Sequence, residues 1–370
     1  MMEPSVNRQF SRPFHANSGS LTEIYDNANV SVTVSAFGLA PQPNVKESLV
    51  TTPEVADVAA ALRDAIRSSD PRLSKFNPLS RILTFDDFNQ GAHGWVELGG
   101  NYNGRGDLES MDEHFRDFRP PQLSNQNFFD VGTHGGMTGT YSLKLATRQA
   151  SGHTATAIRR LTMAGRGLLQ IEAYLAWKVE ANLGGGEEAN TYGDITWDAN
   201  SHPSEAQFGA FTVATDLSHE GVRYHNVMRF QNSDQDGRIV QKWMYPVVAE
   251  PTPHERFEGK HDYGRYTDFT APNPEDWRYL SDERQEACYN EVPTKVNWHY
   301  LRFVIDTTTR SNVELQFNDD VYDLRDVPVP PYAEKYESLE TLLNFYFSVR
   351  TLAPHRNFLF LDSVVISADW

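Results

Sequence analysis

In four stretches of this chain, polar, charged and aromatic residues recur at every second position. Gln170, Glu172, Tyr174 and Lys178 share one parity, as do Arg223, His225, Arg229 and Gln231, then Gln241, Trp243 and Tyr245, and finally Asn344, Tyr346, Ser348 and Arg350. Residues two apart in an extended chain lie on the same side. Each set therefore faces one way, and if the four faces belong to one sheet they line a single groove. Such a groove offers Trp and Tyr platforms, amides, an imidazole and guanidinium groups. A pyranose has the matching needs: an apolar C–H face that stacks on a ring, and hydroxyls that pair with amides and charges. Within the set, Glu172 and His225 are the candidates for acid–base work, and Arg229 and Arg350 are able to bind a carboxylate or stabilise an oxyanion. Trp243 and Tyr245 are the expected sugar platforms, Tyr346 shares the groove, and Asp198 and Glu205 would supply carboxylates from a loop above it.

Other chemistries find little support. Gly184-Gly185-Gly186 and the glycines of 132–136 are followed by no Gly-Lys-Ser or Gly-Lys-Thr, so neither is a phosphate loop. No Gly-x-Ser-x-Gly elbow occurs, and no His-x-x-x-His or cysteine pair suggests zinc. Asp107, Glu109, Asp112 and Glu113 cluster without the glycine and terminal glutamate of an EF-hand loop. Arg105-Gly106-Asp107 is too short a match to mean adhesion.

The elements that must position the groove are strands. Over 296–306, Leu301, Phe303 and Ile305 alternate with polar neighbours, and Asn318-Asp319-Asp320 reads as a hairpin turn of residues that tolerate positive φ. Further strands are expected at 81–88, 140–145, 155–161, 168–180, 208–215, 223–231, 239–248, 343–350 and 358–368. So many antiparallel strands need two packed layers, and the fold class is all-β, a two-sheet antiparallel jelly-roll sandwich. Residues 1–80 form an N-terminal extension with a strand at 30–35, a linker and a helix. Thr52 caps that helix, Pro53 opens it without an orphaned donor, Glu54 suits its positive end, and Asp70-Pro71 stops it. The sandwich occupies 81–370, with long insertions at 181–205 and 249–295 that are expected to be functional or to make subunit contacts.

Of the 370 residues, 39% are hydrophobic and 12% aromatic, enough for a substantial core. The formal charge of −17 repels nucleic acid and anionic membranes alike, so a neutral or cationic partner fits better; with the groove above, the expected partner is carbohydrate or another small polar ligand. With Cys288 as the single cysteine, no intrachain disulfide exists. The N-terminus shows no signal-peptide pattern, and cytoplasmic location is the default expectation, with secretion left open. The arm of residues 1–50 is able to add a strand to a neighbouring subunit.

Phe85-Asp86-Asp87-Phe88 with Gly94-Trp95, Tyr141 to Leu145, Trp298 to Asp306 and Leu361 to Ile366 follow one another in an order that resembles the concanavalin A-like lectin and glucanase superfamily, including laminin-G-like modules. The resemblance covers roughly 81–370. It implies a bent jelly roll whose concave face receives carbohydrate, and an expected function as a glycoside hydrolase or lyase, with a non-catalytic lectin-like module or an oligomeric structural protein as alternatives. First and last strands are neighbours in that superfamily, which would bring Asp86 and Asp87 near Asp362; Asp87 and Asp362 are the expected ligands of a structural calcium. The chain departs from the glucanases in lacking their Glu-x-Asp-x-x-Glu strand. The two carboxyl groups a glycosidase needs, about 5 Å apart in a retaining enzyme, would have to meet across strands or loops.

Overall fold

Strong alternation over long stretches produces two stacked sheets in the computed structural model, which describes residues 53–97, 120–126, 133–149, 152–180, 205–247, 276–290, 297–335, 341–353 and 355–370. The expected strand at 30–35, the arm of 1–50 and most of both insertions, Asp198 included, lie outside the described residues.

The first sheet runs β14 (Asp320–Asp323), β13 (Ser311–Phe317), β12 (His299–Asp306), β6 (Leu168–Val179), β17 (Asn357–Ala368), β4 (Ser142–Ala146), β3 (Gln122–Ser124), with β1 (Arg81–Asp86) also pairing β17. The second runs β11 (Trp277–Tyr279), β10 (Ile239–Pro246), β9 (Val227–Ser233), β7 (Ala210–His219), β16 (Leu342–Arg350), β5 (Thr154–Thr162), β2 (Trp95–Glu97); β8 (Val222–Tyr224) pairs β7, and β15 (Pro331–Lys335) pairs β8. The described pairings are antiparallel, as the all-β jelly-roll expectation requires.

One parity of each central strand fills the space between the sheets. Leu169, Ile171, Ala173, Leu175 and Trp177 of β6 and Leu301, Phe303 and Ile305 of β12 meet Phe211, Val213, Phe230, Phe345 and Phe347 from the opposite sheet. The His299 ring stacks on Trp177 at 4.5 Å, with Phe208, Phe211, Phe230 and Phe317 around them. Rings of this size dominate core energetics because each buries a large apolar area. Asn318 takes the positive φ of 54° that the β13–β14 turn demands.

The helix α1 (Pro53–Ser69) stops where the sequence places its end. Asp70 then caps a short 3₁₀ turn over Pro71–Leu73 by accepting from the Arg72 amide. From there the chain lies as a strap across the outer face of the first sheet, where Leu73 and Phe76 pack on Val365 beside Tyr174 and Tyr300. No helix among the described residues is long and apolar enough to cross a membrane.

Candidate ligand-binding face

The four polar parities do not share one surface. Since Leu169, Ile171 and Leu175 face the core, Gln170, Glu172 and Tyr174 point to the outer side of the first sheet, and there they hold the strap. Glu172 Oε1 accepts from the Asn77 amide at 2.7 Å and from Tyr300 Oη at 2.6 Å; Gln170 Nε2 donates to the Asn77 carbonyl and Tyr174 Oη to that of Lys75. Burial raises the Glu172 carboxyl above its ordinary range, against the opposing pull of these bonds. We expect Glu172→Ala to lower the unfolding free energy by about 1–2 kcal/mol, because it removes the acceptor of two partly buried hydrogen bonds, and Glu172→Gln to cost less because it keeps an acceptor for them. Urea titration of the three chains checks this.

Trp243 and Tyr245 are displaced for a different reason. Gln241 adopts a φ of 48°, and the β9–β10 register slips between Ile239 and Lys242. This bulge lies just before Trp243 and Tyr245, whose parity turns toward the core: Trp243 is 2% exposed and belongs to the inter-sheet core, and Tyr245 packs against it. Neither is a platform on the outer face. Glu205 opens a 3₁₀ turn and accepts from Gln241 Nε2, again apart from the outer-face residues.

The expected calcium ligands do not suit calcium. Asp362 receives Lys75 Nζ at 2.5 Å and the Met137 amide at 2.6 Å, while Asp87 receives Arg72 Nη1 at 2.8 Å. Each carboxylate is already neutralised by its own cation. Among the described residues no group of three or more His, Cys, Asp or Glu is placed to hold a metal.

The remaining candidates do converge. Tyr224, Phe211, Phe230 and Phe345 face the core, so His225, Arg229, Tyr346 and Arg350 all stand on the outer face of the second sheet. In the β16–β7–β9 register, Tyr346 lies across from Ala214 and then Val227, Ser348 from Thr212 and then Arg229, and Arg350 from Ala210 and then Gln231. The floor between the large groups is therefore built of Ala210, Thr212, Ala214 and Ser348. Small side chains flanked by Arg, Tyr and Trp form a low strip, the recess of this face, whose lining side chains are all buried. Trp277 joins it from β11: it clusters with Tyr346, Val227, Met244, Ala214 and Ile158, and the Arg229 guanidinium sits 5.3 Å from its ring centroid, a cation–π contact.

At one end of the recess Asp216 organises the polar groups. Arg223 forks onto it, with Nε–Oδ1 2.7 Å and Nη2–Oδ2 2.8 Å; Asn344 Nδ2 donates to Oδ2 at 3.2 Å and His225 Nε2 lies 3.5 Å from Oδ1. Burial opposes the Asp216 charge, but His225, the Arg223 guanidinium and the Asn344 amide outweigh it and hold the carboxyl below its usual range. Burial drives His225 the other way, down to about 4, only partly offset by Asp216. At neutral pH the pair is an anionic carboxylate beside a neutral imidazole. The recess also contains polar atoms that no described group satisfies: Tyr346 Oη, Asn344 Oδ1, Gln231 Oε1 and Trp277 Nε1 are buried and have no hydrogen-bond partner among the described residues.

Asp216 and Trp277 were not among the expected site residues. Asp216 lies one position past the expected end of its strand, on the parity of Ala210, Thr212 and Ala214, and an acid terminating a row of small residues is the signal that could have found it. Trp277 falls in the aromatic-rich insertion 249–295, whose single rings carry no periodicity.

The model of a family described as "Domain of unknown function (DUF6772)" matches residues 63–370. No curated protein matches the chain. Among solved structures, the carbohydrate recognition domain of Emp47p aligns at 7% identity and a TM-score of 0.31, covering 72% of this chain and 100% of that one. The Ca²⁺/Man2-bound exoplasmic/lumenal domain of VIP36 aligns at 8% identity and a TM-score of 0.29, covering 66% and 86%. Peanut lectin aligns at 7% identity and a TM-score of 0.29, covering 66% and 88%. At such values they bear on no residue's role. The cytoplasmic default is nonetheless corrected: chains aligned to this sandwich include an exoplasmic/lumenal domain, so neither the architecture nor the lone Cys288 assigns the protein to the cytosol.

Proposed function

The chain belongs to the family described as Domain of unknown function (DUF6772), and from the geometry of its second sheet we propose that it binds carbohydrate in the outer-face recess without cleaving it. One observation carries the reading: the buried, unpartnered Tyr346 Oη, Asn344 Oδ1, Gln231 Oε1 and Trp277 Nε1 share a single face. Buried polar atoms are normally paired, and each one left unpaired costs roughly 1–3 kcal/mol. The hydroxyls of a sugar, which both donate and accept, suit this mixture of an indole N–H, a phenol and two amide oxygens. Trp277 and Tyr346 line the same face, both rings nearly fully buried at 2% and 4% exposure.

Binding alone fits better than hydrolysis. Glycosidic cleavage needs two carboxyl groups facing one bond. Glu172 and His225, the expected acid–base pair, stand on opposite outer faces of the sandwich, and Asp216 is tied up by the Arg223 fork. Glycan-array screening followed by calorimetry tests the proposal. We expect a mono- or oligosaccharide to bind, Tyr346→Ala to weaken it at least about tenfold by removing ring and hydroxyl together, and no product on long incubation. Cleavage of the bound glycan would overturn the non-catalytic reading, and the lack of any glycan ligand at millimolar concentration would overturn both.

A further inference from the structure

The outer face of the first sheet carries an open groove beside the strap, with a volume of about 830 Å³, inside the range of roughly 300–1,000 Å³ common for small-ligand sites. Leu301, Phe317 and Leu175 face the core, so Trp298 and Tyr300 along β12, Gln316 and Asn318 along β13 and Tyr174 on β6 turn outward and line it. Tyr300 pairs with Tyr174 in the register, and their rings lie 5.4 Å apart. We propose that this groove is a second site, for a neutral oligosaccharide, so that the chain presents a sugar site on each outer face. It shares no residue with the recess and stands or falls separately from it.

Charge selects the class of ligand. Of the cations lining the groove, Lys75 is held by Asp362, Arg302 by Glu314, and Arg67 lies 3.8 Å from Asp64. Asp319, exposed and also in the lining, has no ion pair or hydrogen bond among the described residues. The one unanswered charge is therefore negative, and an anionic ligand would find no cation waiting for it. The remaining polar atoms call for donors and acceptors together. Arg67 Nε and Trp298 Nε1 are buried donors without a hydrogen-bond partner among the described residues. Gln316 and Asn297 spend their amide nitrogens on the Asn318 and Tyr289 carbonyls, at 2.8 and 3.2 Å, which leaves their side-chain oxygens to accept. A sugar hydroxyl does both. The rings suit the same ligand: Trp298, Tyr300 and Tyr174 are only half-buried, so a C–H face reaches them. The Tyr300 hydroxyl is fixed on Glu172 and that of Tyr174 on the Lys75 carbonyl, so both rings are held in place before a ligand arrives. Asn77 and Arg302 also line a second hollow of about 280 Å³ that continues along β12 to Val304. Two adjoining hollows suit a short chain of sugar rings better than one ring.

Cys288 makes the test possible on the unaltered chain. It is the single cysteine, it is exposed, and it lines this groove, so its rate of reaction with an aromatic disulfide reagent reports whether the groove is filled. Cellotriose, maltotriose and mannotriose are the probes, with trigalacturonate as the anionic control. We expect at least one neutral trisaccharide to bind by calorimetry and, at ten times its Kd, to slow the thiol reaction at least about fivefold by mass action. Asp319→Ala, in an exposed turn, is expected to raise the sugar concentration for half-protection about tenfold, and Tyr346→Ala to leave it unchanged. A trisaccharide that binds without slowing Cys288 would overturn the groove and leave the recess standing. Protection whose midpoint Asp319→Ala does not move, or no binding of any neutral trisaccharide at millimolar concentration, would also overturn it, and stronger protection by trigalacturonate would overturn the neutral class.

Discussion

Trp243→Ala is expected to cost about 3–5 kcal/mol of stability and to leave ligand affinity unchanged wherever the variant is still folded. Its indole meets Phe211 at 5.6 Å and Phe230 and Phe317 at 5.4 Å each, in T-shaped contacts. Nε1 donates to Gln285 Oε1 at 2.8 Å, and Gln285 Nε2 in turn donates to the Phe317 carbonyl at 2.9 Å. Truncation would open a cavity among three phenyl rings that cannot collapse without moving both sheets, and it would orphan the Gln285 acceptor. Trp243→Phe keeps most of the ring volume and should lose less. The checks are urea midpoints for stability and sugar calorimetry well below the melting temperature. A Trp243→Ala chain as stable as the parent but unable to bind would restore this residue to the ligand site and remove it from the core.

Acid is expected to destabilise the fold from about pH 6.5 downward, well before the carboxylates titrate. Burial depresses His225 to about 4, and burial likewise brings His134 to about 4, opposed in part by its bond to the Gly135 carbonyl. In the unfolded chain both titrate near 6.5. As pH falls from 6.5 to 4 the unfolded state takes up protons that the native state refuses, so stability present above 6.5 is lost, by roughly 3 kcal/mol for each histidine over the full window. The groups facing them set the balance: Asp216 and Arg223 at His225, Lys178 and Asp362 at His134. Asp216, whose carboxyl is held low, adds a loss of the same sign at lower pH. Glu172, raised by burial, acts in the opposite sense, its contribution being lost as pH rises through its native value. Melting temperatures across pH 4.5–7.5 test the slope. His225→Gln and His134→Gln should each flatten it; identical slopes in parent and both variants would show that these imidazoles are accessible to protons in the native state.

Much of the fold was legible because its signal is local. Alternation placed β6, β16 and β17 within a residue or two of their ends and β12 within three, Asn318 announced its turn, and Pro53 and Asp70-Pro71 bracketed α1. The same alternation put His225, Arg229, Tyr346 and Arg350 on the parity of their strands that points away from the inter-sheet core. Parity says which residues of a strand go together, however, and not which of two sheets the strand joins. Glu172 has the same local pattern as Tyr346, yet β6 is the centre of one sheet and β16 of the other.

The sequence by itself determined the architecture, the composition of each strand face and the reservoir of sugar-compatible side chains, since these follow from the period of two and from turn chemistry within a few residues. Tertiary structure alone decided which faces share a surface, that a strap claims Glu172, that the bulge at Gln241 precedes the turn of Trp243 into the core, and that Trp277 arrives from a distant insertion to complete the recess. Those outcomes depend on pairings between residues tens to hundreds of positions apart, selected by how whole sheets bury their apolar sides, and no local pattern encodes them.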